Sequence, residues 1–142
     1  MMTLLVWMML LGALPPAGPS AGNDAGTVGT VAAVATVTSA SGRLRVELRS
    51  ASVPLRRGVQ VFQVRISDAA SGRPVPGVIL TVQPWMPSMG HGISETPRIT
   101  EREPGVFEVS ELDLFMPGAW EMRFTLKGTV EDTATVALKL GR

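Results

Sequence analysis

The sequence predicts an all-β fold, an antiparallel β-sandwich of immunoglobulin-like type with about seven strands. Three observations lead there. From Gly42 onward apolar and polar residues alternate with period two, the mark of half-buried strands. Turn-forming residues recur about every 8–12 positions. No stretch carries the periodicity of an amphipathic helix. A small barrel built from the same strands is the alternative.

The strands follow in order. Arg43-Leu44-Arg45-Val46-Glu47-Leu48-Arg49 alternates charge and hydrocarbon without a break, giving one wet and one dry face. After a turn at Pro54 to Gly58, Val59 to Ser67 puts Phe62, Val64 and Ile66 on one face and Gln63 and Arg65 on the other. Asp68 to Gly77 is dense in turn residues, and Val78 to Gln83 is the third strand. Pro, Gly and Ser throughout Pro84 to Pro97 predict an irregular loop. Arg98 to Glu103 is short and polar, as an edge strand is. Pro104-Gly105 turns into Val106 to Leu112. Ala119 to Lys127 directs Trp120, Met122, Phe124 and Leu126 inward, and Val130 to Leu140 closes the chain with Ala134, Val136 and Leu138 on one face.

Length and composition bound the function. A chain of 142 residues is one domain plus tails. Thirteen Lys+Arg against twelve Asp+Glu leave a net charge of +1, which gives no electrostatic footprint for nucleic acid. With no cysteine, disulfides, thiolate zinc sites, iron–sulfur clusters and cysteine nucleophiles are excluded. His91 is the single histidine. Ser88 and Glu95 lie near it but in no nucleophile context. The carboxylates Glu101, Glu103, Glu108, Glu111 and Asp113 are spaced along strands and turns as solvated faces. No nucleophile, base and oxyanion-donor set can be assembled, so the expectation is a protein that is not an enzyme.

The N-terminus indicates compartment. Met1 to Ala13 carries no charge, and Pro15-Pro16 ends any helix there. About a dozen apolar residues are too few to span a bilayer, which needs ~20. They match a signal-peptide core, with small residues following and cleavage expected after Gly22. The expected organisation is therefore a signal peptide over 1–22, a flexible linker over 23–42 and the sandwich over 43–142. The linker holds enough valine to form an extra edge strand. The chain is expected to be exported, to the periplasm or beyond, with anchoring by an uncleaved N-terminal segment as the alternative. Four of the eight methionines fall in that segment, leaving Met86, Met89, Met116 and Met122. Met122 belongs to the core by its period. Trp85 and Trp120 are expected to pack in core or loop with their indole N–H on a carbonyl.

Chemistry concentrates in Gln83-Pro84-Trp85-Met86-Pro87-Ser88-Met89-Gly90-His91-Gly92. Two thioethers and the imidazole are soft and borderline donors that suit Cu(I) better than zinc or calcium. A second loop, Leu114-Phe115-Met116-Pro117-Gly118, supplies another thioether. If both loops emerge at one end of the sandwich, Met86, Met89, His91 and Met116 form a metal-ligand set. The competing expectation is packing: Met86 and Met89 buried against tryptophan, His91 hydrogen-bonded to backbone, and no metal. On that reading the domain is structural or binds a protein partner at the cell envelope.

At these loops the chain resembles the YtkA-like domain family, related to FixH-type proteins. The resemblance rests on Pro84 to Gly92, Pro97, Gly105-Val106-Phe107-Glu108-Val109, and Leu112 through Met122, and spans roughly residues 44–140. It implies an exported or membrane-attached, non-enzymatic immunoglobulin-like sandwich of the kind associated with copper handling or oxidase assembly. Met86, Met89, His91 and Met116 are the positions it brings forward. FixH-type relatives usually carry a membrane helix, which the short apolar segment here does not match.

Overall fold

The structure, a computed structural model, describes residues 31–142. The expected signal segment and the first part of the expected linker lie outside the described residues. Nine strands form two antiparallel sheets: β1 (Ala32–Thr38), β2 (Leu44–Ser50), β3 (Gly58–Asp68), β4 (Val78–Met86), β5 (His91–Gly92), β6 (Arg98–Glu103), β7 (Val106–Leu114), β8 (Gly118–Gly128) and β9 (Asp132–Leu140). One sheet has the order β1-β2-β3-β7-β6 and the other β5-β4-β8-β9. The all-β sandwich expectation holds, with two separate sheets in place of a closed barrel. Among the described residues no helix is long and apolar enough to cross a membrane.

The period-two pattern is what closes the sandwich. Leu44, Val46 and Leu48 of β2, Phe62, Val64 and Ile66 of β3, and Trp120, Met122, Phe124 and Leu126 of β8 are all buried. Val136 and Leu138 of β9 lie beside the β8 residues in the second sheet and belong to the same core cluster. Each such side chain contributes about 1.5–3 kcal/mol relative to exposure. That accounts for a core without cross-links.

Three expectations are corrected. The stretch read as linker contains β1, which pairs with β2 at the sheet edge, as the valine content allowed. The loop expected to start at Pro84 starts three residues later, because β4 continues through Met86. Proline is tolerated there for a geometric reason. A Cβ placed on Gly92 would lie 2.5 Å from the Pro84 carbonyl oxygen, so that oxygen faces β5. The nitrogen of a strand residue points to the same side as its oxygen, so Pro84 removes no hydrogen bond from the β4–β8 ladder. Within the same loop, His91–Gly92 forms the two-residue strand β5.

A bulge sets the phase of β7. Gln60 pairs with Leu112 and Phe62 with Val109, so β3 spends one residue where β7 spends two, Ser110 and Glu111. Glu111 takes φ of 56° to do so. Val109, Leu112 and Leu114 are thereby all turned inward and buried. At the far end of the sandwich, Asp132 clamps the β1–β2 turn to β9. It accepts hydrogen bonds from the Ser41 amide and hydroxyl and from its neighbour Thr133.

Candidate functional site

Among the described residues the chain crosses between sheets after β3, after β5 and after β7, and the last crossing is only Phe115-Met116-Pro117 long. The loops meet. The imidazole of His91 stacks on Phe115, with centroids 6.1 Å apart and planes within 6°. Phe115 in turn meets Trp120 edge-on, at 6.1 Å and 78°. Both separations lie in the favourable range for aromatic pairs. The expectation that the two loops share one end of the sandwich is therefore met.

The hairpin that presents His91 is built locally. The amides of Met89 and Gly90 donate to the Met86 carbonyl, closing the turn between β4 and β5. Gly90 adopts φ of 65°, a conformation glycine takes without a Cβ clash. Met86 and His91 are directly paired across the two strands. Opposed residues of an antiparallel pair project from the same face, and for Met86 that face is the inner one. Thioether and imidazole thus share a face at the end of the core.

His91 Nδ1 lies 3.0 Å from the Gly92 carbonyl oxygen. A carbonyl only accepts, so Nδ1 carries the proton in this contact, and the tautomer that allows it has its lone pair on Nε2. This is the arrangement in which ligating histidines are commonly held: one ring nitrogen on a backbone carbonyl, the other open to a metal.

The four expected site residues differ in their surroundings. Met86 is buried and part of the core, and its methyl carbon lies 3.2 Å from where a Cβ on Gly118 would stand. Its side chain therefore reaches the start of β8, beside the second loop. Met116 is partly buried against the core, and its carbonyl accepts the Trp120 indole N–H at 2.9 Å. Met89 is 52% exposed at the turn. Met86 is buried and His91 is hydrogen-bonded to backbone, as the packing expectation has them, while the exposure of Met89 goes against it. Trp120 behaves as expected. Trp85 does not: it lies on the outer face, half-buried beneath Arg123, whose guanidinium sits 4.9 Å from the ring centroid.

Among the described residues, no group of three or more His, Cys, Asp or Glu side chains is placed to hold a metal ion. Thioethers fall outside that count. The donor set available here is one imidazole nitrogen and the Met sulfurs, which fits a soft monovalent cation and not a hard divalent one. Phe115 is the contributor that pattern reading missed. Phe115 sits in a three-residue crossing with no period, and its position beside Met116 was the one available signal.

A family model described as YtkA-like matches residues 38–125, a span that contains both loops. No curated protein and no solved structure matches the chain.

Proposed function

The chain belongs to the YtkA-like family, and from that premise we propose that it is an exported, non-enzymatic sandwich module that binds Cu(I) through Met86, Met89, His91 and Met116. The observation that carries the reading is the paired placement of Met86 and His91, with Nδ1 occupied by the Gly92 carbonyl. His91 Nε2 and the Met86 sulfur would be the inner donors. Met116 would join from the second loop and Met89 from the solvent side. Thioethers remain soft ligands in an oxidising compartment, where paired thiols would be lost to disulfide. The module would handle copper at the cell envelope, by holding the ion or passing it to a protein partner.

The test is titration of the protein with Cu(I) against a competing chelator. The expectation is one retained equivalent, weakened by His91→Ala and by Met89→Ala. No retention, or retention indifferent to both changes, overturns the reading. One observation favours the competing role of a metal-free packing anchor: Met86 is only 4% exposed. Met86→Leu separates the two, since a volume-conserving swap leaves packing within ~1.5 kcal/mol while removing the sulfur.

A further inference from the structure

Phe115 is 47% exposed and stands outside the buried core. A large aromatic ring left half in water adds little to folding, and this one pairs with two other rings: His91, stacked on it, and Trp120, against which it is set edge-on. Trp120 is fixed, being 1% exposed with its indole N–H bound to the Met116 carbonyl. Rigidity therefore passes from the core through Trp120 to Phe115 and from there to the imidazole.

We propose that Phe115 is the positioning residue of this site, holding the His91 ring in the plane that keeps Nδ1–H on the Gly92 carbonyl and leaves Nε2 as the donor nitrogen. The inference rests on the Cu(I) reading above and deepens it. An N–H donor weakens steeply as it turns away from its acceptor. Rotation of the imidazole about its Cβ–Cγ bond out of its plane would both lose the Gly92 contact and break the near-parallel stack, while a half-turn that keeps the plane would set a carbon in place of Nδ1 against the carbonyl. Without Phe115 the hydrogen bond to the adjacent residue loses the stack that supports it, and either tautomer becomes available to the ring.

The experiment reads the tautomer directly. Nitrogen-15 spectra of the imidazole are recorded on the metal-free protein, at a pH high enough to keep the ring neutral, for the unaltered chain, Phe115→Leu and Phe115→Tyr. Cu(I) affinity is then measured on the same three. The expected result is a dominant Nδ1–H form in the parent, a mixture in Phe115→Leu and recovery in Phe115→Tyr. Cu(I) binding should fall about 10-fold or more in the leucine variant alone, as when a ligand's supporting contact is removed. A leucine variant that keeps both the Nδ1–H signature and the parental affinity overturns the proposal. The expected tautomer pattern across the three chains with no Cu(I) uptake by the parent overturns the metal reading while upholding the role of Phe115.

Discussion

Deleting a residue from the middle of a β-strand ordinarily turns every side chain beyond it to the wrong face. Deleting Glu111 should not. Around the bulge β3 contributes Val61 alone between the Gln60–Leu112 and Phe62–Val109 pairs, while β7 contributes Ser110 and Glu111. Removing Glu111 leaves one residue opposite one. Val109, Leu112 and Leu114 stay inward, and Ser110 stays paired with Arg98 on the other side. The deletion also discards a non-glycine residue in the left-handed region, worth about 1–2 kcal/mol of strain. Against that it loses the Arg98–Glu111 ion pair, whose side chains are 67% and 58% exposed and which contributes about 0–1 kcal/mol. The expected stability lies between that of the parent and about 2 kcal/mol above it.

Deletion of Glu108 is the contrasting perturbation. The least costly accommodation absorbs the loss in the bulge, which keeps Phe107 inside but turns Val109 out and Ser110 in. Val109 is fully buried, so exposing it costs about 1.5–3 kcal/mol. Burying the serine hydroxyl without a partner costs about 1–3 kcal/mol more. Urea unfolding followed by tryptophan fluorescence should therefore leave the Glu111 deletion at or slightly above the parent midpoint and destabilise the Glu108 deletion by about 1–5 kcal/mol, the strain relieved by closing the bulge being set against those two costs. Equal damage from the two deletions would refute the reasoning about phase.

Three other outcomes are expected. Burial pushes the Asp132 carboxyl up, but hydrogen bonds from the Ser41 and Ser39 hydroxyls and the Thr133 and Ser41 amides outweigh it and bring its pKa from 3.8 to about 2. A lowered folded value means that this stabilisation is complete above the unfolded pKa and is lost as pH falls from about 3.8 toward 2. Asp132→Asn should remove that component from urea midpoints measured across the acid range. Gly92→Ala places a methyl 2.5 Å from the Pro84 oxygen, so the β4–β5 hairpin must open at a cost of about 1–3 kcal/mol. Thermal unfolding and a shifted His91 ring resonance would report it. Trp120→Phe removes the donor to the Met116 carbonyl and should cost about 1–3 kcal/mol by chemical denaturation.

Alternation made most of the fold legible, because a buried face demands period two whatever the neighbouring strands do. It was legible for Leu44 to Leu48 and for Trp120 to Leu126, where no residue breaks the pattern. It was not legible at Pro84, where composition signalled a loop. Whether a strand tolerates proline depends on which side its nitrogen faces, a property of the partner strands. It also failed at Ser110-Glu111, where the shift from odd to even apolar positions is written in Val109 and Leu112 but needs a bulge to interpret. At the site, the donor types of Met86, Met89, His91 and Met116 could be read, and so could the chance that two loops converge. The pairing of Met86 with His91 and the aromatic stack were beyond reach, since both depend on a turn and a crossing with no periodicity of their own.

The convergence of the β4–β5 hairpin and the β7–β8 crossing gives the site a mechanical meaning. His91 is anchored to the edge of the four-stranded sheet, whereas Phe115 and Met116 occupy the strap that joins the other sheet to it. Anything held from both sides would act as a staple between the layers, closing a chain loop of about 25 residues in the way a covalent bridge does. In a chain that lacks cysteine, occupancy at that end and resistance to the layers peeling apart would rise and fall together.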